Sequence, residues 1–365
     1  MSLASPLPPP DFEITSAYPE VAWLRQAVAA GDWAGVRQYL AGLPQGSDTS
    51  QVFGTVAGTE GVERALRDLV AAAPDDVFAL TLLGAREVAI GWEIRTAAPA
   101  ESVTREQFAT FHAHLRSAEQ LLIRATALDP SYVPAWAERN TARGLGLGQN
   151  EARRRYDRLA KSHPHHFTAQ TRLLQQLCPK WGGSWEAAHS FARDRMLGAP
   201  DGSLSAGLVA EAHLEHWLDL DVGEERHAYL GQPHVHAELV EAAGRSVLQP
   251  EFRRDPGWVT VAGCFAALFS LIGDTARAAA HFRALGNLAS KLPWSYLGDP
   301  AEAYLRHRDA ALAPASPTPA EREGAGSPSF AWRLSESCDF HGGIFYGLQT
   351  GVGYGAIRFR HRGYV

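Results

Sequence analysis

One stretch of the chain, residues 135–164, has a spacing of side chains that limits the possible folds. Trp136 stands early in it, the small Ala152 follows sixteen residues later, Tyr156 comes four residues after that, and Pro164 eight further on. Residues four apart share a helix face, so Ala152 would allow two helices to approach closely and Tyr156 would fill the adjacent gap. The stretch therefore predicts two helices that fold against each other, with a neighbouring pair stacked on them.

The run Gly144-Leu145-Gly146-Leu147-Gly148 separates these two predicted helices. A glycine-rich loop that cradles phosphate follows a strand and opens a helix. This run follows a predicted helix, so it indicates a turn between helices. Asn150 is expected to cap the second helix, because its side-chain oxygen can accept a backbone N–H.

The step from a small residue to a large residue four positions later recurs in the chain. It is found at Ala118 and Leu122, Ala187 and Phe191, and Ala278 and Phe282. Local signals support further elements: Thr104 with Gln107 predicts a capping box, and Ser184 predicts a helix cap. Residues 42–58, rich in Gly, Ser, Thr and Gln, predict a long loop.

These patterns predict an all-α fold, an α-solenoid of stacked helical hairpins over residues 18–312. Residues 1–17 are proline-rich and are expected to be disordered or loosely draped. Residues 313–328 read as a Pro/Ala/Ser linker and residues 329–365 as a Gly/aromatic/Arg tail. No strand is expected before residue 313.

The tail differs from the rest of the chain, because it is dense in glycine and aromatic residues. In Ile357-Arg358-Phe359-Arg360-His361-Arg362, apolar or aromatic residues alternate with arginine, as in a strand. Three interpretations stay open: a disordered tail, a β-hairpin on the solenoid, or a segment that folds on a partner. The partner in the third interpretation could be the solenoid itself. Since the body is more acidic than the tail, the tail would then dock in the groove of the solenoid as a self-ligand.

Four short motifs stand out in the second half of the chain. They are Leu177-Cys178-Pro179-Lys180-Trp181-Gly182-Gly183-Ser184, Phe191-Ala192-Arg193, Pro200-Asp201-Gly202-Ser203 and Ala212-His213-Leu214-Glu215-His216-Trp217. Together they resemble an uncharacterised family of actinobacterial tetratricopeptide-like proteins. The resemblance covers about residues 60–310; it implies an α-solenoid fold and carries no known activity.

The composition argues against several classes of protein. The formal net charge is -6 and no basic stripe indicates nucleic-acid binding. No apolar run approaches the roughly 18 residues of a membrane span, and the first ten residues do not read as a signal peptide. Three cysteines are few and odd in number, which fits a reducing compartment. We therefore expect a cytoplasmic protein that binds neither nucleic acid nor membrane.

Six residues are candidates for contact with a partner. They are Arg139, Asn140, Arg143, Lys180, Trp181 and Trp185. The first three could line a polar groove on the central pair. The lysine and the two tryptophans could hold an anionic or aromatic partner, or the indoles could simply pack the long turn against the next helices.

His213, Glu215 and His216 are the candidates for metal binding. The two histidines are three residues apart and so share a helix face. Their order differs from the HExxH signature, and no third ligand follows from the spacing. Core or surface histidines are the favoured interpretation, and no cofactor is predicted.

Two hypotheses of function follow. The first is a protein that binds a protein or peptide partner in a concave helical groove. The alternative is an all-helical enzyme of specialised metabolism with a pocket near Lys180, His213 and His216. The first is preferred, because the chain has no nucleophile elbow, no Walker loop and no dinucleotide-binding fingerprint.

Overall fold

The computed structural model describes residues 7–44, 46–96, 102–139 and 142–313. In these ranges the regular structure is helical, and the β-type pairing is an isolated bridge between Asp11 and Leu288. The helices in chain order are α1 (Ile14–Ala17), α2 (Glu20–Ala30), α3 (Trp33–Gly42), α4 (Ser50–Ala57), α5 (Glu63–Ala72), α6 (Val77–Arg95), α7 (Arg105–Leu128), α8 (Val133–Arg139), α9 (Gly148–Ala160), α10 (Phe167–Leu177), α11 (Trp185–Gly198), α12 (Gly207–Asp219), α13 (Glu224–Leu230), α14 (Pro233–Arg245), α15 (Trp258–Ile272), α16 (Thr275–Leu285), α17 (Lys291–Trp294) and α18 (Pro300–Leu312). The all-α prediction is therefore confirmed for the described residues.

The two longest helices, α6 and α7, pack against each other in antiparallel register. A Cβ atom added at Gly84 would lie 2.8 Å from Leu122 Cγ, and one added at Gly91 would lie 3.4 Å from Phe111. The glycines thus let the two backbones approach closely at two points along the pair. The predicted capping box opens α7: Gln107 N–H donates to Thr104 Oγ1, and the Gln107 side chain accepts from the Thr104 N–H.

Two apolar cores hold most of the chain together. The main core runs from α8 to α18 and includes Tyr156, Phe191, Phe265 and Trp294. A second core joins helices α2 to α6. A smaller core lies between α6 and α7 and includes Trp92 and Phe111. Buried apolar surface is the main source of folding free energy, so these cores position most of the helices.

The central pair of helices differs from its prediction at the edges. The first helix, α8, begins at Val133, before the stretch 135–164 on which the prediction rests. A 3₁₀ turn over Ala142–Leu145 leads into α9, which begins at Gly148, so Asn150 lies inside the helix and does not cap it. The glycine-rich run is a turn between helices, as predicted.

Residues 42–58 are not one long loop, because α4 occupies Ser50–Ala57. Val52, Phe53 and Val56 are buried against the second core, and this apolar face outweighs the loop-like composition. Asp48 precedes the helix and accepts hydrogen bonds from the backbone N–H of Ser50 at 3.0 Å and of Thr168 at 2.8 Å. The segment thereby joins the second core to the start of α10.

The N-terminal segment is held in place from residue 8 onward and is not loosely draped there. Asp11 N–H donates to Asn287 O at 2.7 Å, and Ala289 N–H donates to Asp11 O at 2.8 Å. Arg308 Nη1 donates to Pro8 O at 2.5 Å. Prolines cannot donate hydrogen bonds, but carbonyls of the segment accept them from Ala289, in the loop after α16, and from Arg308 of α18. The linker from residue 314 and the whole tail lie outside the described residues, so the interpretations of the tail stay predictions.

Candidate functional site

Five side chains from four helices meet at one place, which we call the histidine cluster. They are His189 of α11, His213 and His216 of α12, Tyr229 of α13 and Glu238 of α14. His213 is 2% exposed, whereas His189 and Glu238 are only partly buried, so the cluster reaches solvent at one side. It is therefore both preorganised by the fold and accessible to a small ligand.

His213 is the central member of the histidine cluster. Its Nε2–H donates to Glu238 Oε2 at 3.0 Å, and its Nδ1 accepts from the Tyr229 hydroxyl at 2.7 Å. His189 Nε2 lies 3.0 Å from His216 Nδ1 and 3.4 Å from the Tyr229 hydroxyl. The ring nitrogens of three histidines and one carboxylate are thus linked through short polar contacts.

Trp185 covers one side of the cluster. Its indole stacks on His216 with ring centroids 4.5 Å apart and planes at 5°, and its Nε1–H donates to Asp219 Oδ2 at 3.2 Å. Ser184 caps α11 as predicted, because its Oγ accepts from the Ala187 N–H. The cap and the stacking fix the first turn of α11, and His189 lies one turn further along that helix.

The electrostatics of the cluster favour neutral imidazoles. Burial, with smaller effects from the neighbouring histidines, lowers the pKa of His189 to about 3. Burial and the neighbouring His213 lower the pKa of His216 to about 4. The hydrogen bond from His213 lowers the pKa of Glu238, and burial raises that of Tyr229. Near neutral pH the cluster thus presents neutral His189 and His216 beside a carboxylate.

Glu215 does not belong to the histidine cluster. It lies on the other side of α12, where its carboxylate accepts from Lys180 Nζ at 2.6 Å and from Gln175 Nε2 at 2.8 Å. Residues two apart on a helix point in nearly opposite directions, which separates Glu215 from His213. The residues proposed for a single enzyme pocket, Lys180, His213 and His216, are therefore divided between two sides of α12.

The other candidates in the long turn contribute to packing. Trp181 packs against the small core of Trp92 and Phe111 on helices α6 and α7. Trp185 stacks on His216 of the histidine cluster. Both tryptophans thus pack against neighbouring helices, and contact of these residues with a partner stays a prediction.

Arg139 is buried in an ion-pair network and does not line an open groove. It donates to Thr126 Oγ1 at 2.9 Å and to Glu119 Oε1 at 3.1 Å, and it is 8% exposed. Burial lowers its pKa from the ordinary value. Asn140 and the side chain of Arg143 lie outside the described residues.

An exposed cationic face runs along α9, and sequence reasoning missed it. A shallow depression of about 260 Å³ follows this helix and is lined by Asn150, Arg153, Arg154, Asp157, Arg158 and Lys161. These positions follow a 3- and 4-residue spacing, so one helix face carries all of them. The arginines and the lysine at this spacing are visible in the sequence, but the prediction for this helix concerns only its packed face, Ala152 and Tyr156.

His189, Tyr229 and Glu238 were missed for a different reason. Glu238 lies 25 residues beyond His213, and α13 and a loop intervene. No fixed spacing connects residues on separate helices, so only the tertiary fold brings these groups together.

Comparison of the chain with protein-family models, with curated proteins and with solved structures finds no match. Among the helices that the structure describes, none combines the length and the hydropathy needed to cross a lipid bilayer.

Proposed function

We propose that the chain is a tetratricopeptide-like helical stack that binds an acidic segment of a protein or peptide partner. The observation that carries this proposal is the exposed cationic face of α9. It presents Arg153, Arg154, Arg158 and Lys161, which outnumber the nearby acids Asp157 and Glu151.

The stacked arrangement is supported by a contact between two helix pairs. Tyr156 of α9 and Phe191 of α11 hold the same place in the small-to-aromatic spacing of their helices. Their rings meet edge to face, with centroids 5.5 Å apart and planes at 84°. Equivalent rings that touch from one pair to the next are what a repeating stack requires. The resemblance to tetratricopeptide-like proteins and a cytoplasmic location are part of the same proposal.

The charge and the length of the face support an acidic peptide as the partner. Asn150 and Lys161 are eleven positions apart, which is about 16 Å along a helix and matches roughly five residues of extended peptide. Arg154 is held by Glu151, to which it donates two hydrogen bonds of 2.8 Å. Arg153 lies over the Phe191 ring, with Cζ 5.1 Å from the centroid. Arg158 and Lys161 complete the row, so several carboxylates could be bound side by side.

The test is the binding of a fluorescent deca-glutamate peptide to the full chain, with deca-glutamine as the neutral comparison. We expect saturable binding of the acidic peptide alone, weakened by added salt because the face and the peptide are both exposed. The double variant Arg158→Glu/Lys161→Glu should reduce the affinity at least tenfold. A library of random peptides selected on the full chain should be enriched in Asp and Glu.

The matched control is Arg64→Glu/Arg116→Glu, which makes the same change of charge at exposed positions of α5 and α7. It should bind the peptide nearly as well as the parent chain. An equal loss in both variants would mean that the peptide senses only net charge, and it would overturn the assignment of the face.

A further inference from the structure

The three groups of the histidine cluster that can act as metal ligands converge on one point. One nitrogen each of His189 and His213 and one oxygen of Glu238 lie within 4.8 Å of one another. Ligands of a tetrahedral zinc ion, with bonds of about 2.0–2.1 Å, stand roughly 3.4 Å apart. Small rotations of the partly buried His189 and Glu238 side chains would bring the set to that spacing.

The contact between His213 and Glu238 already has the form of a ligand pair. His213 Nε2 and Glu238 Oε2 lie 3.0 Å apart, a distance at which a ring N–H donates to a carboxylate. A metal ion can take the place of that proton, because it also attracts the nitrogen lone pair and the carboxylate. A neutral imidazole carries one ring proton, so a metal ion bound at Nε2 would leave that proton on Nδ1, beside the Tyr229 hydroxyl.

We propose that His189, His213 and Glu238 form a binding site for a first-row divalent metal ion, with zinc preferred. Two imidazoles and one carboxylate are ligands that zinc takes readily, and three protein ligands leave a fourth position open to solvent or to another ligand. This site is separate from the cationic face of α9, so the proposal does not depend on the peptide-binding function.

Two neighbouring side chains, Tyr229 and His216, hold the ligand rings in place. The Tyr229 hydroxyl lies 2.7 Å from His213 Nδ1, where it would accept the N–H of a metal-bound imidazole and fix the ring. His216 contacts His189 and is stacked on Trp185, so one side of the His189 ring is covered by these two side chains.

The experiment uses the full chain, freed of metal with a chelator. Cobalt(II) is added first, since a tetrahedral cobalt site absorbs visible light, and zinc is then titrated to displace it. We expect one cobalt ion per chain with a tetrahedral spectrum, and stoichiometric displacement by zinc. Isothermal titration calorimetry in two buffers of different ionisation enthalpy should show little net release of protons, because the ligands bind as neutral imidazoles and a carboxylate.

Variants assign the ligands. Glu238→Gln and His189→Gln should each lower the zinc affinity at least tenfold, and Tyr229→Phe should lower it by roughly 10- to 100-fold as the loss of a supporting hydrogen bond. His165→Gln, which removes an exposed histidine after α9, is the matched control and should leave the affinity unchanged. Circular dichroism of every variant checks that the fold is kept.

Two results would overturn the proposal. One is an octahedral cobalt spectrum with weak binding at several sites, which would indicate scattered surface histidines. The other is a tight site that persists in Glu238→Gln and His189→Gln variants whose helical content and melting temperature match the parent chain.

Discussion

Arg155 of α9 binds Glu119 of α7 through two parallel hydrogen bonds, of 2.9 Å from Nη1 and 2.8 Å from Nη2. The arginine side chain is only 3% exposed. The same guanidinium donates to Glu151 Oε1 at 2.7 Å and to Arg139 O at 2.8 Å. Arg155 thus joins helices α7, α8 and α9. Replacing only one partner of such a buried ion pair strongly destabilises the fold, because it leaves an uncompensated buried charge.

The first prediction concerns the carboxylate of this network. Glu119→Gln keeps the shape of the side chain but leaves the buried guanidiniums of Arg139 and Arg155 without their shared counter-charge. We expect a loss of about 3 kcal/mol in the free energy of unfolding, measured by urea denaturation. Asp255→Asn breaks the exposed ion pair with Arg253 and should cost no more than about 0.5 kcal/mol. A similar small cost for Glu119→Gln would show that the network does not hold the three helices together.

The second prediction concerns the central aromatic residue. Tyr156 is 2% exposed, and its hydroxyl is buried without a hydrogen-bond partner among the described residues. Tyr156→Ala should cost about 3–5 kcal/mol through the cavity that it leaves. Tyr156→Phe keeps the ring against Phe191 and removes the unsatisfied hydroxyl, so it should be neutral or slightly stabilising. Thermal melts of the two variants should therefore separate clearly, and equal melting temperatures would contradict the contact.

The fold could be predicted from the sequence wherever a periodic apolar face coincides with clear signals at its ends. The apolar spacing of residues 167–177 and the strongly apolar run 258–272 each predict a helix, and the structure has α10 at Phe167–Leu177 and α15 at Trp258–Ile272. Both helices have a long apolar face, and a glycine turn or a proline follows. The short helix α13, Glu224–Leu230, was missed because seven mostly polar residues show no periodicity.

The candidate site residues could be predicted from the sequence only where they lie on the same helix. His213 and His216 could be proposed from the sequence because both lie on one helix, where spacing fixes direction. Their partners His189 and Glu238 come from other helices, and local spacing carries no information about such contacts. Arg139 was assigned to a groove because sequence patterns show which helix face a residue occupies but not what packs against that face.

The third prediction concerns the pH dependence of stability. His281 is fully buried between Phe265 and Phe269, and its Nδ1–H donates to Arg277 O at 2.9 Å. Burial lowers its pKa to about 4. In the unfolded chain a histidine has a pKa of about 6.5, so between these values the unfolded state binds more protons. The contribution of His281 to the free energy of unfolding is therefore fully present above about pH 6.5. It falls as the pH drops toward 4, and it does not change further below that pH.

The effect assigned to His281 is about 3 kcal/mol at its limit. His281→Phe removes the titrating group and keeps an aromatic ring in the stack, so the dependence of unfolding free energy on pH between 6.5 and 4 should become shallower. The measurement is urea denaturation at a series of pH values for both chains. Parallel curves would show that other groups cause the acid sensitivity.

The last prediction concerns the two glycines of the long turn, which look equivalent in the sequence but have different surroundings. A Cβ atom added at Gly183 would lie 1.9 Å from the carbonyl oxygen of Leu177, and backbone cannot move away as a flexible side chain can. Gly182 has open space around it and a φ of 84°, so alanine there meets only the conformational penalty of the left-handed region, about 1–2 kcal/mol.

Gly183→Ala should therefore destabilise the chain by about 3 kcal/mol or more, and Gly182→Ala by less. The turn connects α10 to the Ser184 cap of α11, so Gly183→Ala should also disturb the stacking of Trp185 on His216. Tryptophan fluorescence and thermal melts of the two variants measure both effects. A larger loss of melting temperature in Gly182→Ala than in Gly183→Ala would contradict the close contact between Gly183 and the Leu177 carbonyl.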